Sequence, residues 1–151
     1  MRGLTVRRTD RHRATHAERV WSAQNGGVPS SRRFHPVLAA AIDVVIVGVF
    51  AATGRASHGE GPAGVIDTAW PFLAGLALGW IATLAWRRPA APVRTGVPVW
   101  LITVAAGMTL RALTGQGIAV AFILVASVVL GALLIGWRGI AALVARKRRT
   151  A

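Results

Sequence analysis

The chain has 151 residues, 54% of them hydrophobic and 15% charged, with a mean hydropathy of +0.52. That balance, gathered into long apolar runs, excludes an ordinary soluble domain of this length, and the absence of cysteine excludes disulfides, thiol nucleophiles, iron–sulfur clusters and cysteine-ligated zinc. The net charge of +13 is confined to the N-terminal arm, one middle loop and the C-terminal tail; charge flanking apolar helices sets membrane orientation and meets anionic headgroups, and no basic fold with interleaved aromatics remains for nucleic acid, which is not an expected partner.

Residues 1–36 carry eight arginines against Asp10 and Glu18, lack sustained periodicity and end in a Gly/Pro/Ser stretch. They read as a disordered basic cytoplasmic arm. A short helix near Ala14–Ser22 and a downstream start of translation are both open. The stretch "SSRRFHPVLAA" resembles a twin-arginine export signal, but Asp43 interrupts its apolar region and no small-x-small cleavage site follows. The first run therefore reads as a transmembrane helix with positive flanks.

Four apolar runs follow, and helices are expected over about 37–54, 65–86, 97–115 and 117–138. Each has the length of a membrane span, about 17–25 residues, and in hydrocarbon the backbone must be satisfied within its own segment. The expected fold is an all-α membrane protein with four transmembrane helices in residues 37–138, followed by a basic cytoplasmic tail, 139–151. "RRPAAPVRTG" (Arg87–Gly96) and "ARKRRTA" (Ala145–Ala151) are basic, whereas "GRASHGEGPAG" (Gly54–Gly64) balances Arg55 with Glu60. The positive-inside rule puts both termini and the middle loop in the cytoplasm of a multi-pass cell-membrane protein. Trp86, Trp100 and Trp137 then belong to an inner aromatic belt and Trp70 to an outer one.

The chain also repeats itself. "RASHGEG" (Arg55–Gly61) ends the first run and "RALTGQG" (Arg111–Gly117) the third, and Gly79-Trp80 matches Gly136-Trp137 at a shift of 57 residues. The expected architecture is two similar helical hairpins forming a parallel repeat about an axis along the membrane normal. Arg55 and Arg111 each stand at the outer end of a helix, where a guanidinium snorkels to the headgroups and meets the negative end of the helix dipole. A functional reading stands beside that plain one. Arg55, His58, Glu60, Asp67 and Arg111 form a candidate outer polar cluster, with Asp67 or Thr68 capping the second helix. The second copy has Gln116 and Leu124 where the first has Glu60 and Asp67, so Arg111 is expected to pair across the hairpins with Asp67 or Glu60.

Asp43 is a candidate intramembrane acid, about two turns into the first run. Such groups face the bundle interior. It reads either as a proton or cation site, or as a polar clamp bonded to Arg138, Thr83 or the backbone. Gly75, Gly79, Ser127, Gly131 and Gly136 lie in small-x-x-x-small patterns that allow close helix packing. Nucleotide-binding loops, His-x-x-x-His pairs and the Gly-x-Ser-x-Gly motif are absent, and His12 with His16 lacks a third ligand, so no catalytic residue, metal or cofactor is expected.

Asp43, "GRASHGEG", "DTAWPFLAGLALGW", "PVWLITVAAGMTLRALTGQG" and "VLGALLIGWR" together resemble a family of small four-helix integral membrane proteins of GC-rich Gram-positive bacteria, described only as a domain of unknown function. The resemblance covers about Val37 to Arg138. It implies membrane location and four helices, and no activity. Three functions fit the residues: a small transporter-like or channel-like protein acting as a homo-oligomer, a non-catalytic partner of another membrane protein or envelope complex, and a membrane enzyme using His58 and Glu60.

Overall fold

The computed structural model describes residues 34–57 and 64–150, and places them in four helices. These are α1 (Pro36–Ser57), α2 (Val65–Ala82), α3 (Val97–Leu113) and α4 (Val120–Thr150). A 3-10 turn (Ala85–Arg87) and a π turn (Pro92–Gly96) lie between α2 and α3. All four helices are long and apolar enough to cross a membrane, so the chain is a multi-pass membrane protein. The basic arm, apart from Phe34, His35 and Pro36, lies outside the described residues, as do His58 and Glu60.

The helices run up, down, up and down. Gly75 and Gly79 of α2 face Thr103 and Val99 of α3 in antiparallel register, and a Cβ on Gly75 would stand 2.7 Å from the Thr103 carbonyl oxygen. Only glycine permits that approach. The ring of Phe72 occupies the space a side chain at Gly107 would need. The packing of α2 on α3 is the most extensive in the bundle, while α1 with α4 closes the ring. Val47, Phe50, Phe72, Leu76, Val99, Leu130 and Leu134 form the buried core. Val45, Val49, Ile81, Leu101, Leu124 and Val128 are exposed, as lipid-facing positions should be, since hydrocarbon solvates them as well as a core does.

Trp100 of α3 lays its indole over Gly131 of α4 and donates from Nε1 to the Ser127 carbonyl (2.9 Å). Trp100→Phe keeps the packing and loses that bond. It should lower unfolding stability in detergent by about 1 kcal/mol, read as a fall in the thermal midpoint of the purified protein. Gly136 differs from expectation: nothing lies within 4 Å of where its Cβ would stand. Ser127 and Gly131 share one face of α4, but Gly136 is five residues beyond Gly131, about 140° around the helix.

Several helix ends also differ from the expected ones. α2 stops at Ala82 because Thr83 Oγ1 turns back onto the Gly79 carbonyl (2.8 Å) and Leu84 takes a left-handed φ of 50°. α2 starts at Val65 with Gly64 as its cap, and no side chain caps it; neither Asp67 nor Thr68 plays that part. The apolar run already begins at Val65, and its backbone must be paired from there. Pro71 consequently sits inside the helix, with no N–H to give the Asp67 carbonyl. α3 and α4 are joined by a short turn in which Gly115 (φ +70°) and Gly117 (φ +79°) reverse the chain. α4 runs on to Thr150, since Gly139 alone does not break a segment followed by Ala, Leu, Arg and Lys.

Candidate functional site

Two polar assemblies interrupt the apolar bundle, one at each end. At the end formed by the start of α1 and the close of α2, Asp43 and Arg138 are both fully buried and form an ion pair. The guanidinium is bidentate: Nη1 donates to Oδ1 (2.9 Å) and Nη2 to Oδ2 (2.6 Å). Trp137 Nε1 donates to Oδ1 and Trp80 Nε1 to Oδ2, each at 2.9 Å. A carboxylate offers about four lone-pair sites, and four donors occupy them. Such a carboxylate has no direction left for a cation or a transferable proton. Arg138 uses four of its five N–H donors: besides the two bonds to Asp43, Nε donates to the Pro89 carbonyl (3.0 Å) and Nη1 also to the Leu134 carbonyl (2.8 Å).

Local structure prepares each of these groups. Position 43 faces inward because it shares its helix face with buried Ala39, Val47 and Phe50. The π turn brings Gly96 to 3.0 Å (as a Cβ) from Arg138 Cδ, so the arginine stem passes where a side chain would block it. Thr95 Oγ1 donates to the Arg88 carbonyl (2.8 Å) and braces the loop that presents Pro89. The Arg138 guanidinium also lies 4.5 Å from the Trp137 ring centroid, a cation–π contact. The assembly therefore joins α1, α2, the α2–α3 loop and α4. Of the three partners expected for Asp43, Arg138 is the one bonded. Thr83 bonds its own helix instead, because its hydroxyl reaches the carbonyl four residues back.

The opposite end holds a cavity of about 600 Å³. Its walls come from the close of α1 (Phe50, Gly54, Arg55), the first turn of α2 (Asp67, Thr68), the end of α3 (Arg111) with Gln116, and the start of α4 (Phe122, Val125). Phe50 and Phe122 line it, and Phe72 packs against both rings. Phe50 and Phe72 meet edge-on with centroids 5.4 Å apart, and Phe122 lies 6.2 and 6.1 Å from them. The described lining residues also include two guanidinium groups and one carboxylate.

Arg111 does not pair with Asp67, although both line the cavity. It donates from Nη1 to Gln116 Oε1 (2.9 Å) and from Nη2 to the Gln116 carbonyl (3.0 Å), and its guanidinium lies 4.4 Å from the Phe122 ring centroid. The end of α3 explains why. The Gln116 N–H bonds the Arg111 carbonyl (3.0 Å) and the Gly115 N–H bonds the Ala112 carbonyl (3.3 Å). That is the Schellman arrangement, with glycine in the left-handed position. It wraps Gln116 back over the last turn, directly against the arginine. Arg111 Nε is buried and has no hydrogen-bond partner. Arg55 lies with its guanidinium against Gly64 at the start of α2.

Trp80, Trp137 and Pro89 are site residues that pattern reading passes over. The two tryptophans carried a signal, since they are the pair the 57-residue shift superposes. Trp100 and Trp137 both donate their indole N–H into the bundle; a part-buried indole N–H needs an acceptor. Among the described residues, no three His, Asp or Glu side chains converge as a metal would require.

Fold and site together define a small multi-pass α-helical membrane protein, locked by a buried ion pair at one end and open to a ligand-sized cavity at the other. The chain belongs to the family described as "Protein of unknown function (DUF3054)", whose model matches residues 40–141. That span contains Asp43, Arg138 and all the described lining residues of the cavity. No curated protein and no solved structure shows a significant match to the chain.

Proposed function

We propose that the protein is a transporter-like component of the cell membrane that works at the Arg111 cavity. The Asp43–Arg138 pair serves as a static clamp and not as part of a path. The observation that carries this reading is the cavity itself: it has the volume of a ligand site, about 300–1,000 Å³, and a lining of apolar side chains with a few polar groups among them. Asp43, with every acceptor direction taken, is a poor relay. The basic segments Arg87–Arg94 and Arg146–Arg148 lie toward the clamp end, which supports cytoplasmic termini and an outward-facing cavity. The shifted matches Arg55/Arg111 and Trp80/Trp137 support an ancestral duplication of one hairpin. In that account Asp43 and Arg138 are later additions with no counterpart in the other hairpin, since Val99 and Ile81 stand at the matching positions.

Four helices are few for a transport path, so the reading carries a homo-oligomer. Its test is flux in proteoliposomes, with protons, inorganic phosphate and acetate as probes. Protein-dependent flux of at least one probe is expected, lowered about tenfold by Arg111→Gln. No flux of any of the three overturns the transporter-like reading, as does a strictly monomeric state in detergent and nanodiscs.

One observation favours the partner role as a second reading. α4 has 31 residues, about 46 Å, against a hydrocarbon thickness of about 30 Å. Its last turns expose Ile140, Leu143 and Val144 beside Arg146, Lys147 and Arg148. Truncation after Gly139 should then abolish co-purification of a membrane partner from mild detergent while leaving the bundle folded; a partner retained after truncation counts against this role.

A further inference from the structure

We propose that the Arg111 cavity binds a phosphate-class oxyanion carried on an amphiphile, head against Arg55 and Arg111 and apolar part over Phe50, Phe122 and Val125. The inference rests on the reading of the cavity as the working site and adds the chemistry of its ligand.

Three observations converge on that class. First, two arginines, Arg55 and Arg111, line the cavity. Arginine presents a planar fork of donors that matches carboxylate and phosphate geometry. Second, Arg111 is held in place before any ligand arrives. Gln116 accepts one hydrogen bond from each terminal nitrogen, Phe122 supports the plane, and Nε remains buried without a partner. Both partners of Arg111 are neutral, so its positive charge is positioned but not cancelled. A guanidinium has five N–H donors; with two bonded to Gln116 and Nε–H buried, one N–H on each terminal nitrogen is left. Third, much of the remaining wall is apolar. Phe50, Ala119, Ala121, Phe122 and Val125 would gain nothing from a small hydrated anion, but would cover an acyl chain.

The seam between α1 and α4 accounts for how an amphiphile would enter. These helices are pinned together at the clamp end by Asp43 and Arg138. At the other end both helices line the cavity, with the rings of Phe50 and Phe122 6.2 Å apart between centroids, and Ala121 and Val125 are exposed there. A lipid can enter sideways through such a seam while its head remains at the polar rim.

The test uses the full chain purified in dodecyl maltoside, which carries no phosphate. Isothermal titration compares dihexanoyl phosphatidic acid, dihexanoylglycerol and inorganic phosphate. Phosphatidic acid is expected to bind about tenfold or more tightly than dihexanoylglycerol, and Arg55→Gln and Arg111→Gln should each weaken it about tenfold. Arg111→Lys should retain part of the affinity. Val125→Trp, which leaves both arginines in place, should weaken phosphatidic acid by filling the apolar wall, and it keeps the test decisive if the arginine variants fail to fold. Inorganic phosphate binding as tightly, with the same arginine dependence, supports the oxyanion and assigns it to a free solute. Equal affinity for phosphatidic acid and dihexanoylglycerol overturns the proposal. Binding indifferent to all four variants overturns it as well. Flux without phosphatidic acid binding would remove this inference and leave the transporter-like reading standing; binding without flux would do the reverse.

Discussion

Replacing Asp43 with leucine is expected to destabilise the bundle by about 3–5 kcal/mol, the range for removing one partner of a buried ion pair. The cost arises on Arg138. Its guanidinium is fully buried and gives two of its hydrogen bonds to the lost carboxylate. It cannot follow a retreating partner, because Nε is held by Pro89 and Nη1 by Leu134. Leucine leaves that charge without a counter-charge in a medium that solvates it poorly. Asp43→Asn should be nearly as harmful, since the amide can accept from one side only and turns its own N–H toward a donor. The double substitution Asp43→Leu with Arg138→Met should recover more than half of the loss, since an apolar pair of similar volume often replaces a buried ion pair without penalty. Full recovery is not expected. Trp80 and Trp137 would each lose an acceptor, and an unsatisfied buried donor costs about 1–3 kcal/mol. Equilibrium unfolding in mixed micelles measures all three variants. A double variant no more stable than Asp43→Leu would mean that pairing with Arg138 is not what Asp43 contributes, and a single variant as stable as the parent would remove the clamp altogether.

The clamp also marks how far a sequence can be read. The four spans were legible because each is an uninterrupted apolar segment of membrane length, a property of composition that tertiary structure does not alter. Asp43 was legible as an interior group for the same reason: nothing else that polar lies so deep in its run. Arg138 could be named only as one of three partners, because the register of α1 against α4 depends on packing that no local pattern encodes. Pro89 was not legible at all. Its carbonyl matters because two irregular turns aim it at Arg138, and backbone acceptors leave no trace in residue identity. Arg111 taught a different lesson. The search for its partner looked for an acid and so looked across to Asp67, when a neutral amide five residues away was already brought back by the turn at Gly115. The glycines that set that turn, Gly115 and Gly117, were visible; what they fold onto Arg111 was not. Family membership is silent on chemistry, so the clamp and the cavity carry the functional argument.

The close seam of α2 on α3 yields the second large effect. Gly75→Ala is expected to destabilise the protein by about 1–3 kcal/mol despite alanine's better helix propensity, because overpacking costs about that much and propensity returns only about 1 kcal/mol. The added Cβ would stand 2.7 Å from the Thr103 carbonyl oxygen and 3.2 Å from both Thr103 Cα and Gly107 N. These are backbone atoms and cannot swing aside as a side chain can, so the helices must separate along their whole contact. Gly107→Ala should cost less. Its Cβ would meet the ring of Phe72, which can tilt, although Phe50 edge-on at 5.4 Å and Phe122 at 6.1 Å limit how far. Gly136→Ala is the internal control: no atom lies within 4 Å, and it should be neutral or stabilising by up to about 1 kcal/mol. The ordering Gly75, then Gly107, then Gly136, from most to least harmful, is therefore set by what each new methyl group meets and not by the identity of the change. Thermal unfolding of the three variants in one detergent measures it directly. Equal effects at Gly75 and Gly136 would mean that the α2–α3 helices are not in backbone contact at Thr103. A loss at Gly75 would place the tightest seam of the bundle between the second and third helices, so any ancestral hairpins are now held together more firmly across their junction than within themselves.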